Sequence, residues 1–386
     1  MLIEETDLYT LHRRGRYLCA ALKRPHRAIS TCRINGGIRE DLSHLANHQS
    51  CEGVAHVARH ERVMGLGATA EHADACRAGQ LPPESTSLMS TAANMQCAVL
   101  ARAEYAELAV TVVATAGVTG NATRAGDPAS WHEHPGGSRR IADSAGALDA
   151  APAEAGSGTI VTLVFINQPC TSACLVRAAT LVTEGKSAAV LDLRMPSLQS
   201  SGLATGTGTD QLAIAAPLAR GDEWERHWAG GHNTLGELLG RATHDAVTRC
   251  LLLQNGICAE LRRSITGALG RHGCDEAVLR DTARAELAET TATVFARNLL
   301  AILHDPQSTA AAYGLAEIID LVRAGVLHTE VARESILNQS ALLAATVAVA
   351  PEYFADFRAI LQPRHDLLPG QLAALAVVKG FERKWL

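Results

Sequence analysis

The side chains able to do chemistry gather in a few short, glycine-rich stretches. The densest is Ser200-Ser-Gly-Leu-Ala-Thr-Gly-Thr-Gly-Thr-Asp-Gln211. Thr207 and Thr209 offer hydroxyl nucleophiles, and Asp210 offers a carboxylate that can move a proton. Gly206 and Gly208 let the backbone approach a ligand or aim N–H groups at an oxyanion. Gln211 leads straight into the apolar run Leu212–Ala216, which a simple linker seldom does. Asp210 is therefore expected to serve the site rather than the fold. A second stretch, Thr115-Ala-Gly-Val-Thr-Gly-Asn-Ala-Thr-Arg-Ala-Gly-Asp127, follows the β-branched run Ala109–Ala114. A buried strand that enters a polar, glycine-rich turn is where open α/β sheets hold ligands. Thr115, Gly117, Asn121 and Arg124 are its candidate binding residues, with a second oxyanion hole near Gly117 and Gly120. Neither stretch has the GxGxxG or GK[ST] spacing of the common nucleotide-binding loops.

Two further stretches lie nearer the N-terminus, and a third lies downstream. Asn47-His-Gln-Ser-Cys-Glu-Gly-Val-Ala-His56, followed by His60, packs a thiol, a carboxylate and three imidazoles into a short span. Cys51 is a nucleophile candidate and His48 an acid or base, with Asn47 beside them. His56 and His60 are four apart, a spacing that can hold zinc on a helix face, yet no cysteine pair supports such a site. No metal and no cofactor is expected. A polar helix start explains the same residues equally. In Arg33-Ile-Asn-Gly-Gly-Ile-Arg39, Asn35 and Gly36 end a strand, either as a ligand-facing turn or as an ordinary hairpin. Downstream, His232 and Glu237 stand at the start of an amphipathic helix whose stripe is Leu235, Leu238, Leu239, Ala242, Val247 and Leu251.

These stretches need a frame. Tyr17–Leu22 and Arg27–Ile34 read as paired strands. Ala109–Ala114, Thr159–Ile166 and Ala188–Leu193 read as buried strands, with a helix over Thr171–Glu184 between the last two. Strand, helix, strand in that order predicts a layered, mixed α/β domain over residues 1–254. Gly126–Gly158 reads as a long surface loop. From 255 to 386 the pattern is helical: Glu276–Leu303, Ser308–Ala324, Thr329–Val349 and Glu352–Leu361, with breaks at Pro306, Pro351 and Pro363. The fold class is thus α/β with a C-terminal all-helical extension, to which a covering or homo-oligomerising role is assigned.

Composition narrows the partners. A net charge of −5 over 386 residues argues against nucleic acid. The longest apolar run, Ala341–Ala350, is too short to cross a bilayer, so no membrane contact is expected. The acidic N-terminus does not resemble a signal peptide, and ten cysteines without a CxxC read as reduced, buried thiols in a cytoplasmic protein.

In order along the chain, Arg24-Pro-His-Arg, Asn35-Gly-Gly, Asn47, Thr115-Ala-Gly, Asn121-Ala-Thr-Arg-Ala-Gly-Asp127, Gly158-Thr-Ile, Ser201-Gly-Leu-Ala-Thr-Gly-Thr-Gly-Thr-Asp-Gln211, and His232 with Leu235-Gly-Glu-Leu-Leu-Gly-Arg241 resemble the adenosylcobinamide amidohydrolases. The resemblance covers about residues 15–254. It implies a corrinoid as substrate and cleavage of the amide that joins its aminopropanol arm, giving adenosylcobyric acid in corrinoid salvage. The chain departs from the family pattern at Val161, at Gly231 and in carrying the helical extension. A related amidase with another substrate, and a corrinoid-binding protein without catalysis, are the competing readings.

Overall fold

A computed structural model describes residues 1–51, 67–135, 137–141 and 158–385. It divides into two compact units, Met1–Cys258 and Ala259–Leu386.

The first unit holds two sheets. One has the order β1 (Leu2–Glu5), β2 (Tyr9–Arg14), β3 (Tyr17–Leu22), β6 (His44–Gln49), β7 (Thr86–Thr91). The other runs β5 (Gly37–Arg39), β4 (His26–Ser30), β15 (Gln211–Pro217), β13 (Ile160–Ile166), β9 (Leu108–Ala116), β8 (Val99–Tyr105). Residues of β9, β13 and β15 alternate between two cores, because successive side chains leave opposite faces of a strand. Val110, Val112, Ile160, Val164 and Ile214 pack with the helices α2 (Ser172–Asp192) and α3 (Thr234–Asn255). Val113, Val161, Leu163, Phe165 and Ala213 meet Tyr9, Leu11, Leu18 and Ala20 of the other sheet. Burial on both faces is why these strands are continuous apolar runs. The outer face of the five-stranded sheet packs Tyr17, Cys19 and Ala46 on Cys76 of helix α1 (Ala68–Ala78). The result is four layers, α/β/β/α.

Three expectations change. Tyr17–Leu22 and the strand after it do not pair; β3 lies between β2 and β6, whereas β4 lies between β5 and β15. Residues 188–193 are not a strand: α2 continues to Asp192, and Ala189, Val190 and Leu193 are buried at helical spacing. The strand that completes the crossover is β15, parallel to β13. The segment expected to be a loop carries a hairpin, β11 (Trp131–His134) with β12 (Gly137–Arg140). A short pair, β10 (Ala122–Thr123) with β14 (Gly206–Thr207), joins the two glycine-rich stretches to each other.

Two glycines set the helix layer. A Cβ on Gly185 of α2 would lie 2.8 Å from the carbonyl oxygen of Gly240 on α3. A Cβ on Gly236 would lie 2.1 Å from that of Gly230. Each of the ten cysteines is a free thiol.

The second unit consists of helices α4 (Ile265–Leu269), α5 (Glu276–Glu286), α6 (Glu289–Leu303), α7 (Pro306–Arg323), α8 (Thr329–Ala348), α9 (Phe354–Leu361) and α10 (Pro369–Arg383). The expected helix over 276–303 is broken after Glu286, where Leu287 turns extended. The last helix, α10, had no counterpart in the periodicity reading. Phe295 stacks edge-on against Phe381, 5.2 Å between centroids, within a core of Leu299, Leu315 and Leu343. No helix among the described residues is long and apolar enough to cross a membrane.

The His272 side chain is 4% exposed, and its Nε2 has no hydrogen-bond partner among the described residues. Burial, and then the neighbouring Arg271, push its pKa down to about 4, against the pull of Asp320 3.8 Å away. The folded value lies below the unfolded one, so the unfolded chain binds the extra proton between them. Stability from this group is complete above pH ~6.5 and is lost as pH falls towards about 4. Thermal unfolding should show that slope, and His272→Phe should flatten it; an unchanged slope would assign the pH dependence elsewhere.

Candidate functional site

The two glycine-rich stretches meet at one end of the six-stranded sheet. There β13 and β15 begin, and β4 and β9 end, because the parallel pair runs opposite to its neighbours. A cavity of about 430 Å³ opens at this end. Its walls are Thr31–Ile34 after β4, Ala68, Glu71 and His72 of α1, Leu88 and Ser90 of β7, and Gly208–Gln211 before β15.

Asp210 is the hub of the last wall. Its Oδ1 accepts from Ile160 N (3.0 Å) and Thr207 Oγ1 (2.5 Å), and its Oδ2 from Thr207 N (3.0 Å) and Lys186 Nζ (2.6 Å). With four donors, the lone-pair sites of a carboxylate are filled. In this arrangement Asp210 ties the turn to β13 and to α2. Gly206 is part of the same device: a Cβ there would lie 2.2 Å from Asp210 Oδ2 and 2.4 Å from Lys186 Nζ.

The two threonines part ways. Thr207 is buried and donates its hydroxyl to Asp210. Thr209 lines the cavity. Its Oγ1 lies 2.7 Å from Thr159 Oγ1 and 3.0 Å from Gly158 O, and accepts from Asn121 Nδ2 at 3.2 Å. No imidazole or carboxylate among the described residues bonds it, so none of them serves as the adjacent base of an activated nucleophile. Asn121 also donates to Gly158 O at 3.0 Å and thereby links the stretches. Gly117 N donates to Thr159 O, which removes it from the expected oxyanion hole. Gly158 allows this approach, since a Cβ would meet Gly117 O at 2.5 Å.

Several expected site residues are structural. Asn47 is buried between the sheets and donates to Thr115 Oγ1 at 2.9 Å. His48 is buried, stacks on Tyr17 and bonds Met89 O at 3.1 Å. Cys51 lies against Ser50 and is not on the cavity wall. Asn35 donates to Pro83 O and Thr86 O, which pins the turn after β4. Arg124 donates to Leu203 O. Gln211 is on the wall and donates to Ser90 O at 3.0 Å, tying the two sheets at the cavity. His232 and Glu237 are at the wrong end. α3 has 22 residues and runs roughly 33 Å. Its far end meets the cavity side, where Asn255 accepts from Val118 N, whereas exposed Glu237 pairs with Arg241 in the first turns. The His56–His60 pair lies outside the described residues. Among those described, no three His, Cys, Asp or Glu side chains form a metal-binding group.

Sequence reasoning passed over Cys32, Glu71 and His72. Burial pushes the Cys32 thiol up, against hydrogen bonds with Ser30 and Ser87, so it stays protonated at neutral pH. His72 Nε2 donates to Pro83 O at 3.0 Å, which leaves Nδ1 as the proton acceptor. The signal was an adjacent acid and imidazole in an otherwise alanine-rich helix. Arg33 is a cationic wall residue whose guanidinium has no partner among the described residues.

The family whose model matches residues 2–259 is a family of amidohydrolases, enzymes that cleave carbon–nitrogen amide bonds with water. It is that of adenosylcobinamide amidohydrolase, and the chain belongs to it. An uncharacterized protein of Methanocaldococcus jannaschii is 32% identical over 176 residues, 45% of this chain. The match spans 66% of that relative's length, just short of two thirds. The two point departures from the family pattern avoid the cavity: Val161 is buried between the sheets, and Gly231 is exposed at the start of α3.

Proposed function

We propose that the protein hydrolyses the amide joining the aminopropanol arm of adenosylcobinamide to its corrin ring, giving adenosylcobyric acid and aminopropanol. The observation that carries this reading is that Gly208–Gln211, within the segment the family model matches, forms a wall of the cavity. A space of about 430 Å³ is smaller than an adenosylated corrinoid, so it takes the amide arm while the macrocycle stays at the mouth. Water adds to the carbonyl carbon and its proton passes to His72 Nδ1. The oxyanion so formed draws on Arg33 and the backbone of the 206–211 turn. The C–N bond then breaks, and the amine leaves with the proton held by His72. Glu71, beside His72 on α1, adds a second proton-handling group at the same wall. Thr209 and Gln211 hold the arm. No resident metal or cofactor enters this scheme.

The test is incubation of the protein with adenosylcobinamide, followed by mass spectrometry. Adenosylcobyric acid and aminopropanol should accumulate in equal amounts. Binding of the corrinoid without turnover would make the protein a corrinoid binder. Neither binding nor products would mean an amidase with another substrate.

A further inference from the structure

We propose that Lys186 is a positioning residue for this hydrolysis: through Asp210 it fixes the Gly206–Gln211 turn, and with it Thr209 and Gln211, at the cavity wall. The inference rests on the proposed reaction for its kinetic readout, but not for its structural one.

Lys186 lies in the last turns of α2, on the helix layer, while the turn it holds is at the mouth between the sheets. Its ammonium is 2.6 Å from Asp210 Oδ2, and both side chains are largely buried, at 15% and 16% exposed. An ion pair withdrawn from water contributes little net stability, since desolvation offsets much of the attraction. What it does supply here is geometry. Ile160 N and the two Thr207 donors come from segments about 50 residues apart in sequence, and all converge on the one carboxylate. The fourth donor, the cation, fixes the rotation of that carboxylate about its own axis. Gly206 shows how closely the parts are fitted, because no Cβ can stand between Lys186 and Asp210. Two residues beyond Thr207, the Thr209 hydroxyl is delivered to the wall, and one further residue on from Asp210, Gln211 crosses to Ser90.

Removing the cation should leave the other three donors competing for a carboxylate free to turn. A displacement of about 1 Å at a reacting centre costs on the order of 100-fold in rate. Lys186→Met is therefore expected to lower kcat by about 10- to 100-fold with KM within about 3-fold, and to lower the unfolding midpoint by less than Asp210→Asn does, because three donors still hold the carboxylate. Hydrogen exchange at the Ile160 and Thr207 amides should speed up about 10-fold or more, while the Leu163 and Val164 amides in the same strand stay protected. In combination with Asp210→Asn, the Lys186→Met change should add almost nothing to the loss of kcat, as expected of groups that act as a unit. A parent-like kcat in Lys186→Met overturns the proposal, and so does a fall in kcat matched by general loss of protection across β13. If Lys186→Met does not fold, Gly206→Ala pushes the pair apart without removing either charge, and a parent-like kcat there overturns it equally. If the parent itself releases no aminopropanol, the reaction proposed above fails. The exchange experiment then decides alone, and unchanged Ile160 and Thr207 amides sink the role of Lys186.

Discussion

Asp210→Asn should destabilise the first unit by roughly 3 kcal/mol and remove nearly all turnover, because it breaks a partly buried pair and leaves the Lys186 ammonium without its anion. An asparagine amide must also present its NH₂ either to Thr207 N and Lys186 or to Ile160 N and the Thr207 hydroxyl, so that on each side it faces at least one group that can only donate. This reverses the expectation, drawn from residue type alone, that the substitution leaves the fold untouched. Urea unfolding followed by circular dichroism reads the effect directly. A midpoint equal to that of the parent, with activity lost, would return Asp210 to the role of acid or base.

Gly36→Ala should be nearly as damaging, for a steric reason. The new Cβ would stand 1.9 Å from Cys32 O and 3.1 Å from Ser30 O, both backbone atoms with no flexible end to yield. The turn has to open, and Cys32, Arg33 and Ile34 move with it out of the cavity wall. Overpacking of this kind costs about 1–3 kcal/mol. KM for the corrinoid should rise about 10-fold or more as the wall shifts. Gly37→Ala serves as the control. Gly37 has φ +76° but open space around its Cβ position, so alanine there carries backbone strain of about 1–2 kcal/mol without a collision. Equal KM values for the two variants would show that the turn does not shape the cavity.

The frame was legible where burial on both faces wrote a continuous apolar run, as in β9, β13 and β15. It was misread where the same residues suit two structures. Ala188-Ala-Val-Leu-Asp-Leu193 fits a short strand, yet it finishes a helix already under way. The partners of β3 and β4 were hidden because strand pairing is non-local: β3 takes β6, which follows more than 20 residues later, and β4 takes β15. The site was half legible. Composition marks Gly206–Gln211 as special, but lone-pair occupancy is a property of three-dimensional neighbours, and Asp210 looks like a base until its four donors are seen. His72 carried no assignment from sequence, since only the fold brings α1 to the end of β15.

The contact of α2 with α3 reaches further than packing. Gly185 rests on the backbone of Gly240, and the next residue along α2 is Lys186. The separation of two helices thus sets how far an ammonium extends towards the carboxylate it serves. A methyl group added at Gly185 would act as a shim, lifting one helix from the other and withdrawing the cation, although it touches no part of the cavity. Gly185 accordingly reads as a calibration of distance: its missing side chain, one residue before Lys186, lets α2 rest on the α3 backbone at Gly240.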